Sequence, residues 1–258
     1  MSKALRKFYV FLIFVFMYAP IVVMAVYSFN DSKFATAQWK GFTFKWYEKL
    51  FENEQMLGAL QITLSTALLS AVIATVIGTL AAIGIHNMRK GTRSAVMAVT
   101  NLPVLNPDIV TGISLMLLYV FIGIPLGKTS LLLSHITFNI PYVIISVLPK
   151  LGQMNKNMYE AALDLGASPA YAYRKIILPE IMPGIITGFL FAITLSIDDF
   201  VISFFTSRAE NLSIYIYNAV SKKYDPSINA LSTLMFAVIF ILMVIVNKRS
   251  MKHEKEEN

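Results

Sequence analysis

Residues 160–184 read EAALDLGASPAYAYRKIILPEIMPG, a polar, tyrosine-bearing stretch between two of the most apolar runs of a 258-residue chain. The preceding residues and its first half predict a short amphipathic helix, with Met154, Met158, Ala161, Ala162 and Leu165 toward one side. Gly166 suits the position just past a helix end, where the backbone turns left-handed. Ser168-Pro169 reads as the N-cap and first residue of a second short helix running to about Ile177. Leu178-Pro179 predicts its end, because the residue before a proline disfavours helical geometry. Two short helices joined at a glycine elbow either connect neighbouring spans or dock a partner. A mere connection needs no capped elbow, which favours docking.

The surrounding chain is 56% apolar and 14% charged, where soluble domains carry roughly 25% charged residues. Six apolar runs, at about 8–29, 59–85, 95–122, 131–149, 183–205 and 228–247, are long enough to cross a bilayer as helices of about 20 residues. The predicted fold class is all-α: one polytopic membrane domain over 1–258, with 150–182 as its polar loop. The run from Phe8 to Phe29 has 22 residues, longer than the roughly 7–15 of a signal peptide, and predicts a first transmembrane helix.

The net charge is +7, but Lys and Arg sit in the connections between apolar runs. Fourteen of the 22 basic residues lie before residue 8, at 89–93, at 150–175 and after 247. All four regions fall on the side of the two termini if the spans number six. Excess Lys and Arg mark the cytoplasmic side, so both termini and the 150–182 loop are expected there. This is a topology signal and not a phosphate-binding face, so no nucleic-acid partner is expected. Trp39, Trp46 and Tyr47 in the 30–58 loop, and Tyr215 and Tyr217 in the 206–227 loop, suit the opposite interface as anchors.

Several motifs fail. GIPLGKTS at 123–130 lacks a glycine five positions before Gly127-Lys128-Thr129; Ile122 stands there, so no phosphate loop forms. His86, His135 and His253 are scattered without metal-ligand spacing, and His135 reads as a hydrogen-bonded packing residue. With no cysteine, thiol catalysis, disulfides and thiolate metal sites are excluded. The chain is expected to be no enzyme and to hold no metal or cofactor.

Asp108, Asp198 and Asp199 fall inside predicted spans, where each carboxylate costs about 2.5–3.5 kcal/mol on insertion scales and so suggests a functional site. Asp108 lies 15 residues after Arg93 and Asp198 lies 15 after Pro183, which places both ~22 Å into a ~30 Å core. Pro103 and Pro107 break the third span just before Asp108, as happens where a span lines a cavity. Gly184 and Gly188 allow close packing of the fifth span. Asp199 is offset from Asp198 by about 100°, so the two cannot face one way without local unwinding. The acids serve either a passing cation or a structural partner.

The opening stretch resembles the EAA signature of the membrane subunits of binding-protein-dependent ABC importers, matching at Glu160, Ala161, Ala162, Gly166, Ala167, Ile176, Leu178, Pro179 and Pro183. From about residue 8 to 246, runs such as WKGFTFKWYEKLF, NPDIVTGISLMLLYVF, LLLSHITFNIPYV and TLSIDDFVISFF resemble the PotC-type permease subunits of spermidine/putrescine importers. The resemblance implies a type I ABC importer permease fold in the bacterial inner membrane. It implies a homologous second permease, a cytoplasmic ATPase dimer that binds ATP and Mg, an extracytoplasmic polyamine-binding protein and the lipid bilayer as partners. Glu160, Ala161, Ala162, Asp164, Gly166 and Ala167 would then couple to the ATPase. Asp108, Ser196, Asp198 and Asp199 would line the substrate path, with Trp46 supplying a cation–π face. The alternatives are an ABC permease for another small solute and a stand-alone cation-coupled secondary transporter.

Overall fold

Apolar runs without internal breakers form single long helices, and runs carrying breakers form segmented ones. The computed structural model describes residues 3–33, 38–222, 225–237 and 240–241, and among them no strand forms. Four helical stretches are long and apolar enough to cross a membrane: Leu5–Tyr27, Glu54–His86, Lys128–Gln153 and Pro169–Asp198. Shorter apolar helices cover Asp108–Ile122 and Ser227–Ala237. Four of the six expected spans thus correspond to full-length helices, the third and sixth contain shorter apolar helices, and residues 238–239 and 242–247 of the sixth lie outside the described residues.

The chain divides into two compact units, residues 58–215 and residues 1–57 with 216–258. In the larger unit most of α3 (Glu54–His86), α7 (Lys128–Gln153) and α10 (Leu178–Asp198) build the core. α3 presents a face of small residues, with Ala67, Ala71, Ala74 and Ala82 all buried. Gly78 lies on that face, and a Cβ built there would sit 2.7 Å from Val143 Cβ. From the other side, a Cβ on Gly188 of α10 would sit 3.1 Å from Val143 Cα, and one on Gly184 2.9 Å from the Ser146 carbonyl. Small residues permit such backbone approach in a membrane bundle, so Gly184 and Gly188 act as the sequence predicts. Val143 is fully buried between two glycines.

The third span is segmented as expected: α4 (Lys90–Thr100), α5 (Leu102–Leu105) and α6 (Asp108–Ile122). Asn106 is extended, φ −79° and ψ 146°, the geometry forced on a residue before proline. Gly123, with φ +77°, closes α6 in the left-handed conformation.

Two expectations are corrected. The helix does not stop at Leu178-Pro179. α9 (Pro169–Ala172) passes through a π turn at Tyr173–Ile177 directly into α10, with the Leu178 N–H bonded to the Tyr173 carbonyl. A proline in a regular α-turn clashes with the carbonyl four residues back; the wider π turn accommodates Pro179. The 206–227 stretch is also not simply a loop. It contains α12 (Leu212–Lys222), whose first N–H, on Leu212, bonds Thr63 Oγ1 at 2.8 Å.

In the smaller unit, α1 (Lys3–Tyr27) keeps its apolar side chains largely exposed. The chain then folds back on itself. Asn30 pairs with Phe42 across a short antiparallel bridge, and Asn30 Oδ1 accepts from the Lys40 N–H at 2.8 Å. Phe29, Phe42, Phe44 and Tyr47 form a ring cluster with neighbouring centroids 5.1–6.2 Å apart, leading into α2 (Lys45–Glu52).

The wedge at Val143 makes a specific prediction. Gly78→Ala should cost about 1–3 kcal/mol by overpacking, lowering the Tm of the purified chain in detergent. Val143→Ala in the same chain should restore part of the loss; purely additive destabilisation would remove the wedge from the account.

Candidate transport and coupling sites

The elbow is built as its sequence dictates. α8 (Lys156–Asp164) is capped by Asn155, whose side chain accepts from the Asn157 N–H. At its other end Gly166 N–H bonds the Leu163 carbonyl at 2.9 Å and Ala167 N–H the Ala162 carbonyl at 3.0 Å. That crossed pair is a Schellman closure, and it needs the left-handed backbone found at Gly166, φ +85°. Ser168 Oγ then accepts from the Tyr171 N–H, and Pro169 opens α9.

The faces of α8 differ from expectation in part. Met154 and Ala162 are half-buried, together with Tyr159 and Leu163, but Met158, Ala161 and Leu165 are not. Leu165 is 89% exposed and Met158 50%. Tyr159 packs edge-on against Tyr173 of the π turn, centroids 5.3 Å apart, and this contact anchors the helix. The outward surface combines an apolar patch with the exposed carboxylates of Glu160 and Asp164.

The three acids take different places. Asp108 is exposed in the first turn of α6, where the helix dipole favours a carboxylate. Asp198 is exposed at the last residue of α10. One turn beyond Asp108, a Cβ on Gly112 would lie 3.3 Å from Ile202 Cα, so α6 lies tightly on α11 (Val201–Thr206). Asp108 opens α6 one turn before this contact, and Asp198 ends α10 three residues before α11 begins. Among the described residues neither acid forms an ion pair.

Asp199 turns inward. The helix stops at Asp198 and Asp199 is extended, φ −61° and ψ 125°, the local unwinding that separates the pair. Its carboxylate accepts from Ile202 N–H at 3.1 Å, Ser203 N–H at 2.8 Å and Ser203 Oγ at 2.6 Å. His135 Nε2 stands 3.5 Å from its Oδ2. Ser196 is buried as well, its Oγ accepting from Asn139 Nδ2 at 2.8 Å and lying 3.2 Å from Ser70 Oγ. Trp46 belongs to the smaller unit and is 2% exposed, its Nε1 donating to the Asn30 carbonyl at 2.7 Å. Lys45 and Lys49 ammonium groups lie 5.6 and 5.4 Å from its ring.

Residues 74–253 match the family model described as binding-protein-dependent transport system inner membrane component. The chain belongs to that family. This permease is 40% identical over 249 residues to the spermidine/putrescine transport system permease protein PotC of Escherichia coli K12, covering 96% of this chain and 94% of the relative. It is 37% identical over 243 residues to the PotC permease of Haemophilus influenzae, covering 93% and 94%. Among solved structures it resembles a bacterial ABC transporter involved in alginate import, with TM-score 0.70 at 18% identity over 95% of this chain and 93% of that one. At that identity the likeness shows the permease fold.

Sequence reasoning missed Ser70, Asn139 and Ser203 as ties between helices. A signal was present: His135 and Asn139 stand four apart, on one face of a helix that is otherwise apolar there. Trp46→Phe isolates the role of the indole nitrogen. It keeps a ring but removes the donor to the Asn30 carbonyl, and should cost about 1 kcal/mol, read as a lower Tm of the purified permease. An unchanged Tm would show that the bond does not support the fold.

Proposed function

We propose that this permease is the membrane subunit of an ATP-driven importer that carries the polyamines spermidine and putrescine across the cytoplasmic membrane by alternating access. The observation that supports it best is the pair of exposed carboxylates, Asp108 and Asp198, at the ends of separate helices beside the close packing of Gly112 on Ile202. Like charges in one region repel, and an opposite charge between them relieves that repulsion. A flexible polycation carries several ammonium groups and can adjust their spacing to meet both acids. The similarity to permeases named for spermidine and putrescine supports the same substrate class. Asp108 and Asp198 are assigned to substrate, and Trp46 to the shape of the loop that follows the first helix.

The partners follow from the same reading. A second, homologous permease completes the path, and an extracytoplasmic binding protein delivers the polyamine. A cytoplasmic ATPase dimer binds ATP and Mg and performs hydrolysis, so this chain is the transport subunit and not the enzyme. Both termini and the 150–182 loop are cytoplasmic. The exposed patch of Met158, Ala161 and Leu165 with Glu160 and Asp164 is the surface presented to the ATPase. Gly166 sets the angle of the elbow, and the continuous path through the π turn carries its movement into α10.

Radiolabelled spermidine uptake by cells expressing the full transporter tests both halves. Asp198→Asn should reduce uptake at least ~10-fold at limiting substrate, as expected for a lost charge-assisted contact, at unchanged membrane levels. Glu160→Lys should abolish uptake and release the ATPase during purification. Normal uptake by Asp198→Asn would end the polyamine assignment of that acid. Normal uptake by Glu160→Lys would favour a carrier that works without an ATPase.

A further inference from the structure

On either side of the break after Asp198 the chain is tied to one helix. Before the break Ser196 Oγ accepts from Asn139 Nδ2 at 2.8 Å, and after it Ser203 Oγ lies 3.0 Å from His135 Nε2. Both partners belong to α7 and stand four residues apart, one above the other on a single helical face. His135, Asn139, Ser196 and Ser203 are each at most 1% exposed. Hydrogen-bonding groups in an apolar bundle cost free energy unless paired, so each tie favours one register over its neighbours.

Geometry turns that register into a direction for the acids. Ser196 points into the bundle, and Asp198, two residues on, lies about 200° around the helix; it is accordingly exposed. Past the break, the Ser203 hydroxyl donates to Asp199 Oδ2 at 2.6 Å while facing His135 Nε2. This arrangement suits an imidazole whose Nε2–H donates to Ser203, with Nδ1 buried and unpartnered. Asp199 satisfies two free N–H groups at the start of α11, those of Ile202 and Ser203, as an N-cap does.

We propose that His135 and Asn139 are positioning residues that clamp the chain on both sides of the break, so that Asp199 caps α11 and Asp198 alone of the acid pair is presented to substrate. The transport consequence rests on the reading of Asp198 as a path carboxylate; the clamp itself does not. Replacing either residue by an apolar one leaves Ser196 or Ser203 without its α7 partner and lets the end of α10 turn.

The chain contains no cysteine, so a single Asp198→Cys reports its own accessibility in the assembled transporter. Its labelling rate with a positively charged methanethiosulfonate should fall about tenfold when Asn139→Leu or His135→Leu is added, the size of a population shift set by one buried hydrogen bond. An unchanged or faster rate in both overturns the clamp. This readout requires no transport, so it stands even if Asp198→Asn proves to transport normally. The second arm uses full-length permease in the complex. Asp199→Asn retains a capping oxygen and should leave the spermidine KM within about threefold of wild type, whereas Asp199→Leu should lose uptake. A KM rise for Asp199→Asn equal to that of Asp198→Asn would make Asp199 a substrate ligand and sink the proposal.

Discussion

The approach of three helices around Val143 is the constraint on which the rest of the larger unit depends. A side chain with Gly78 on one flank and Gly188 on the other leaves no room for sliding or rotation that would bring either backbone closer. Close-packed interiors respond to an added methyl group because no neighbouring space can absorb it. The polar ties among Ser70, Asn139 and Ser196 lie further along the same three helices, and they form only because those helices are already in register. Apolar packing thus supplies the contact distance and hydrogen bonds supply the angle. An acid at the end of α10 inherits both.

The elbow extends this rigid frame toward a surface. Capping at Asn155, Schellman closure at Gly166 and capping at Ser168 pair backbone groups that short helices otherwise leave open. Tyr159 against Tyr173 then fixes α8 to the start of the continuous helical path. Leu165 and Met158 are therefore joined to α10 without a pliable connection. The path runs through the π turn, where the backbone is least regular and Pro179 follows.

Much of this was legible in the amino acids because local rules were left uncontested. Gly166 and Ser168-Pro169 sit where the capping rules place them, and the prolines at 103 and 107 segment the third span. Gly184 and Gly188 pack as small residues in a bundle do. Features that depend on distant partners were not legible. Leu178-Pro179 reads as a stop unless the π turn before it is known. Trp46 reads as an interfacial ring because nothing nearby in sequence announces the Asn30 carbonyl. Asp199 and Asp198 are chemically identical neighbours, and only the tertiary surroundings of His135 and Ser203 give one of them a cap to satisfy. For α8, the sequence showed an apolar stripe but not which part of it the fold would leave uncovered.

Asn30 occupies a post that exported domains often give to a disulfide. Its backbone carbonyl holds the Trp46 indole and its side chain holds the strand-like return at Lys40, joining segments separated by up to 16 residues. Because the chain is free of cysteine, this turn is held without a disulfide, by hydrogen bonds, by the ring cluster of Phe29, Phe42, Phe44 and Tyr47, and by the Lys45–Asp31 ion pair. Its shape is therefore indifferent to the redox state of whatever compartment bathes it, and it can refold after transient opening without an oxidant or an isomerase.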